Sequence, residues 1–216
     1  MSESTSAAPQ PSQSVPSRRR VASSLAWAVP TVVAAAAAPA EAASPPPRID
    51  RVFSVRLAST AVTGTSVRAC ATGSTRVTVT TDNVNTYYRI TNVQAGSTVT
   101  DVTASILVQK SVVDAMGSQN PLTWTNTTKT DWSDPVREVS GTGSPVLYTN
   151  NGTQYYRYVS KLSPPVPAPV SGTITLPIIG WYSNCGTNLN GVMVNGRGSA
   201  VVNGMTLDNV GDFRTL

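Results

Sequence analysis

From Ile49 onward, apolar and polar residues alternate in short runs. RVFSVRLA sets Phe53, Val55 and Leu57 on one face and Val52, Ser54 and Arg56 on the other. TSVRACA sets Val67, Ala69 and Ala71 opposite Arg68 and Cys70, and TRVTVTT alternates Val77 and Val79 with threonine. NTYYRITNV and TVTDVTASILVQ carry the pattern on. Successive side chains of a strand point to opposite faces, so this period predicts half-buried strands bounded by Gly, Asn and Ser. Two hairpins are expected. One turns at Asn150-Asn151-Gly152, between VLYT and TQYYRYV, and the other around Asn195-Gly196, between GVMV and SAVV. SGTITLPIIGWYS is a further strand region, bent at Pro177, which has no N–H for a ladder. Only VQKSVVDAM, residues 108–116, predicts a turn or two of helix. About nine or ten strands at regular spacing predict an all-β fold: a single antiparallel β-sandwich over residues 49–216, with immunoglobulin-like or jelly-roll Greek-key connections. Alternation weakens over residues 117–143, which reads as a long edge hairpin or a protruding loop carrying Trp124 and Trp132.

Ahead of this domain the pattern changes. Residues 1–16 are rich in Ser, Pro and Gln and read as disordered. The apolar run over residues 25–40 is mostly alanine, contains Pro30, and falls short of the roughly twenty residues that span a bilayer. Arg18, Arg19 and Arg20 precede it, and Ala40-Glu41-Ala42 follows with small residues at the flanking positions. Charged segment, short apolar core and small-x-small site occur in the order of a secretory signal peptide cut after Ala42. Ser17, Arg18 and Arg19 resemble the S-R-R core of the bacterial twin-arginine export signal, with Val21 and Ala22 where that motif prefers Phe and Leu. AWAVPTVVAAAAAPA is similar to the export signals of actinobacterial secreted proteins. The resemblance implies export, with folding before translocation. Residues 43–48 read as a Pro-rich lead-in. No cysteine follows the apolar run, DNVGDFRTL offers no apolar tail, and LPIIG lies mid-chain, so no permanent membrane anchor is expected.

The leader also changes the charge. The chain carries a formal net charge of +5, and much of it sits in that leader. The remaining Arg and Lys are scattered singly. Nucleic-acid binding, which wants a basic cluster, is therefore not expected. Cys70 and Cys185 are the two cysteines, and an exported pair reads as a disulfide. Closing so long a loop stabilises by about 4–5 kcal/mol on chain-entropy grounds. The bridge would join early and late strands of one domain, stapling the two sheets, with Trp181 packed nearby. Two free or metal-binding thiols are the alternative, although there is no CxxC and no histidine to complete a zinc site.

The absence of histidine excludes His-based triads and His metal sites. Lys110, Lys129 and Lys161 stand in no nucleophile motif. Asp131, Asp134 and Glu138 form the dense acidic group; a glycosidase would need two such groups facing each other, whereas a solvated loop would pair them with Arg137. Asp208 and Asp212 lack the alternating spacing of a calcium loop. Neither a metal nor a cofactor is expected. The aromatics remain. Tyr87-Tyr88-Arg89 and Tyr155-Tyr156-Arg157 repeat one order, and on a strand Tyr155 and Arg157 share a face. Trp124, Trp132, Tyr155 and Arg157 are the expected ligand-binding residues, since flat rings cover apolar sugar faces and Tyr beside Arg suits a protein interface. The expected function is an exported, non-catalytic cell-envelope or extracellular β-sandwich with a structural, adhesive or protein-binding role. The alternative is a carbohydrate-binding module for envelope or environmental glycan, with a secreted hydrolase third. The expected partner is an envelope protein or glycan.

Overall fold

Alternation along the chain becomes two packed layers. The computed structural model describes residues 44–163 and 165–216; the expected signal peptide, with Arg18, Arg19, Ala40 and Ala42, lies outside the described residues. The first half of the domain runs β1 (Arg48–Val52), β2 (Ser54–Ala58), β3 (Arg76–Thr80), β4 (Tyr87–Thr91), β5 (Val99–Gln109), α1 (Lys110–Ala115), β6 (Trp124–Asn126) and β7 (Val136–Arg137). The second half runs β8 (Leu147–Asn150), β9 (Thr153–Lys161), β10 (Ile174–Thr175), β11 (Gly180–Ser183), β12 (Met193–Val202), β13 (Met205–Asn209) and β14 (Arg214–Thr215). The fold is an all-β antiparallel sandwich, as the periodicity predicts, with one short helix among the described residues. The strands outnumber the expected nine or ten because β1 and β2 are split at Phe53 and several edge strands are only two residues long.

One layer is a 7-stranded sheet in the order β13-β12-β5-β9-β7, with β14 added on β12 and β8 on β9. The other comprises a 3-stranded sheet, β1-β4-β10, and a 4-stranded sheet, β2-β3-β11-β6. Pro177 lies where the chain leaves β10 in one small sheet and enters β11 in the other, a bend at which no ladder bond is lost. The core fills the space between the layers. Val55, Val77 and Val79 come from one small sheet, Ile49, Tyr88 and Ile90 from the other, and Ala104, Ile106 and Val108 from the large sheet.

Tyr88 ties the layers together. Its ring meets Phe53 edge-on at 5.6 Å and stacks on Trp132 at 6.0 Å. Its hydroxyl donates to the carbonyls of Thr103 and Ser199 at 2.8 and 3.0 Å, beside a register shift between β5 and β12. Glycine makes room for it. A Cβ at Gly198 would stand 2.8 Å from the Tyr88 ring, and one at Gly196 would stand 2.9 Å from Phe53. This corrects the hairpin expected at Asn195-Gly196. Both residues lie inside the continuous strand β12, where glycine marks the close approach of another side chain. The turn sits further on, at Asn203 and Gly204, with φ of 50° and 79°. The other expected hairpin is present. Asn151 and Gly152 take φ of 47° and 77° between β8 and β9, the left-handed pair that a two-residue turn requires.

Cys70 and Cys185 are joined, with Cα atoms 5.7 Å apart. The bridge does not cross the sandwich as expected. It fastens the β2–β3 connection to the chain leaving β11, and β3 and β11 are neighbours in the same small sheet.

Candidate functional site

The four expected ligand-binding residues do not converge. Trp132 is fully buried, stacked on Tyr88, with its indole N–H donating to the Pro177 carbonyl at 3.2 Å. Both ring faces are removed from solvent, so it offers no platform. Tyr155 is also fully buried, on the opposite face of the large sheet. Phe213 covers it at 4.6 Å between ring centroids, and its hydroxyl donates to Met193 Sδ. The C-terminal segment thus covers a face that periodicity alone left open. Arg157 lies on that outer face as well. Its Nε donates to Ser105 Oγ at 3.0 Å, Nη1 donates to the Tyr148 hydroxyl at 3.3 Å, and Glu138 pairs with it at 3.7 Å.

Trp124 is the residue that opens on a site. It stands on β6, paired with Ser183 of β11, and meets Tyr158 of β9 edge-on at 5.7 Å. The two rings line a cleft of about 680 Å³. Pro121, Leu122, Pro135 and Val136 supply its apolar walls, and Asp114 and Arg137 its charged rim. The rim is held in place from below. Asp114 accepts from the Tyr156 hydroxyl at 3.0 Å and pairs with Lys110 across one turn of α1. The Lys110 hydrogen bond holds this carboxyl below its ordinary range, against the opposing effect of desolvation. The Arg137 guanidinium lies 5.0 Å over the Tyr156 ring. Burial pushes the Tyr158 hydroxyl up to about 12, so it stays protonated at neutral pH. The Trp124 indole Nε1 is buried and has no partner.

The sequence names Arg137 only as a partner for the loop carboxylates, a pairing that does not form, and it does not single out Tyr158 or Leu122 for a site. Arg137 and Tyr158 face each other only through β7–β9 pairing, a contact with no local signal. The acidic group expected in TDWSDPVRE is dispersed. Asp134 pairs with Lys129 at 3.2 Å, Glu138 turns to Arg157 and Tyr148, and Asp131 contributes its carbonyl to Ser163 N–H. None of the three lines the Trp124 cleft. Asn209 and Gly211, in the segment from Asp208 to Asp212, are tied by backbone and side-chain bonds to Arg51, Ile49 and Asn195. Among the described residues no group of three or more His, Cys, Asp or Glu is placed to hold a metal ion, and no helix is long and apolar enough to cross a membrane. No protein-family model, curated protein or solved structure matches this chain.

Proposed function

We propose that this chain is an exported, non-catalytic β-sandwich of the cell envelope or extracellular space, acting in a structural or adhesive role by binding a protein partner at the Trp124 cleft. The observation that carries the reading is the apolar character of that cleft and of the sheet edge beside it, which pairs with no further strand among the described residues. Val136, at 63% exposure, lines the cleft, and Val139 and Leu147, at 52% and 42%, follow on the edge formed by β7 and β8. Exposed apolar residues grouped at one edge mark interaction surfaces. A half-buried Trp beside an Arg is the usual make-up of an interface anchor. Export is supported by the Cys70–Cys185 bridge, which fits an oxidising compartment, and by the leader's resemblance to twin-arginine signals.

A second reading, a carbohydrate-binding module, is favoured by one feature: the half-buried Trp124 ring lines a cleft that also carries the polar groups of Asp114 and Arg137. Such groups could bond sugar hydroxyls while the indole stacks. The two readings separate in one experiment. The purified protein is bound to isolated bacterial cell envelope, before and after the envelope's proteins are digested. A protein partner predicts binding that is lost on digestion, and a glycan predicts binding that survives it. In either case Trp124→Ala should weaken binding by about 30-fold, the loss typical of an interface anchor. Unchanged binding by Trp124→Ala would remove the cleft from both readings.

A further inference from the structure

The residue at the disulfide is Arg76. It is only 6% exposed, at the start of β3, and takes part in none of the three ion pairs among the described residues. Its Nη2 donates to the Arg68 carbonyl and stands 3.4 Å from Cys70 Sγ and 3.1 Å from Cys185 Sγ. Its Nε is buried without a partner. Desolvation lowers its proton affinity from the ordinary arginine value. A buried charge without a counter-ion is costly, and a disulfide sulfur is neutral and a weak acceptor. A thiolate in the same place would supply both the charge and the acceptor. The surroundings of the bridge therefore match its reduced, ionised form better than its oxidised one.

The two sulfurs are not equivalent. Cys70 lines an open surface cavity of about 550 Å³ with Ser59, Thr72 and Asn190. Cys185 is the sulfur closer to the guanidinium. Backbone hydrogen bonds hold the two cysteine positions in addition to the disulfide. Cys70 N–H donates to the Ser59 carbonyl at 2.7 Å, and Thr75 and Gly186 exchange backbone bonds of 3.0 and 2.8 Å. These backbone bonds do not involve the sulfurs, and they hold the two cysteine positions beside Arg76.

We propose that Cys70, Cys185 and Arg76 form a thiol–disulfide exchange site that is oxidised after the chain has folded, with Cys70 the sulfur that reacts with an external disulfide and Cys185 the thiolate that Arg76 holds. The Cys70 thiolate attacks one sulfur of a disulfide oxidant, forms a mixed disulfide and releases one oxidant thiolate, which takes up the proton Cys70 gave. The Cys185 thiolate then attacks the Cys70 sulfur, closes the bridge and expels the second oxidant thiolate, which takes up the proton from Cys185. Two electrons pass from the cysteine pair to the oxidant. Reduction runs in reverse, with Cys185 leaving; a thiol of lowered pKa leaves faster. The site is independent of what the Trp124 cleft binds.

The test uses the full chain, reduced and placed in glutathione buffers, with alkylation and peptide mass spectrometry as the readout and circular dichroism as the check on folding. The reduced protein should stay folded, and the alkylation rate of Cys185 should rise with a midpoint below the ordinary thiol value of about 8.5. Glutathione should be captured on Cys70 in Cys185→Ser faster than on Cys185 in Cys70→Ser. In Arg76→Met the bridge should resist reduction, with an equilibrium constant shifted by about tenfold, or ~30 mV. An ordinary Cys185 midpoint, faster capture on Cys185, or unfolding on reduction would each overturn the proposal. Those three readouts need no Arg76 variant, so misfolding of Arg76→Met leaves the proposal fully testable. An unchanged equilibrium in a folded Arg76→Met would overturn it as well.

Discussion

Trp132 and Trp124 show how one residue type serves two ends within a short span. Trp132 has both faces covered and its N–H bonded to Pro177, so Trp132→Ala should cost about 3–5 kcal/mol in urea unfolding. A loss under 1 kcal/mol would mean that the stack on Tyr88 is not formed in solution. Gly198 answers to the same core. A methyl group there would collide with the Tyr88 ring, so Gly198→Ala should destabilise by about 1–3 kcal/mol although alanine is the better strand residue. Asp82 offers a pH test. Its carboxylate accepts the backbone N–H of Thr86, Val84 and Asn85, and these bonds lower its pKa to about 2. A depressed carboxylate contributes above its unfolded pKa of about 3.9 and loses that contribution as pH falls toward the folded value. The 82–86 turn should therefore stay closed at pH 4 and loosen as pH approaches 2. A carboxyl carbon NMR titration with a midpoint near 3.9 would contradict it.

At the scale of elements, the turns and the strand edges carry the argument. Asn151-Gly152 joins β8 to β9 with both residues in the left-handed region. Gly152→Ala should cost about 1 kcal/mol, read as a lowered Tm, because only glycine enters that region freely. The same pair type at Asn203-Gly204 closes β12 on β13. The first turn is legible from its Asn-Gly dipeptide between alternating runs, whereas the second is expected at Asn195-Gly196 and lies at Asn203-Gly204 instead. The Asn195-Gly196 dipeptide has the same composition and a different use. Phe53 reaches it from the junction of β1 and β2, more than a hundred positions earlier, and nothing near Gly196 announces it. The short helix α1 was legible too. Its Asp114 reaches Tyr156 on β9, which the helical period does not foretell.

Across the whole molecule, Ser44–Leu216 behaves as one compact unit with the bridge spanning 115 positions of it. Removing the bridge by Cys70→Ser with Cys185→Ser should lower stability by about 4 kcal/mol on chain-entropy grounds and leave the fold in place. Loss of the fold would show that the bridge, and not the β3–β11 ladder, holds the small sheet. The sequence alone determined the features that rest on neighbours along the chain: the strand period of Val77 and Val79, the turn at Gly152, the short helix after β5 and the pair of cysteines. Tertiary structure decided which faces those strands expose. Tyr155 and Arg157 share a face by period, but only the tertiary fold puts Phe213 over one and engages the other with Ser105, Tyr148 and Glu138. The same holds for the small sheets between which Pro177 passes, and for Arg76, whose place against two sulfurs comes from strand pairing. Periodicity is a local property of the chain, whereas burial depends on which distant segment arrives to cover each face.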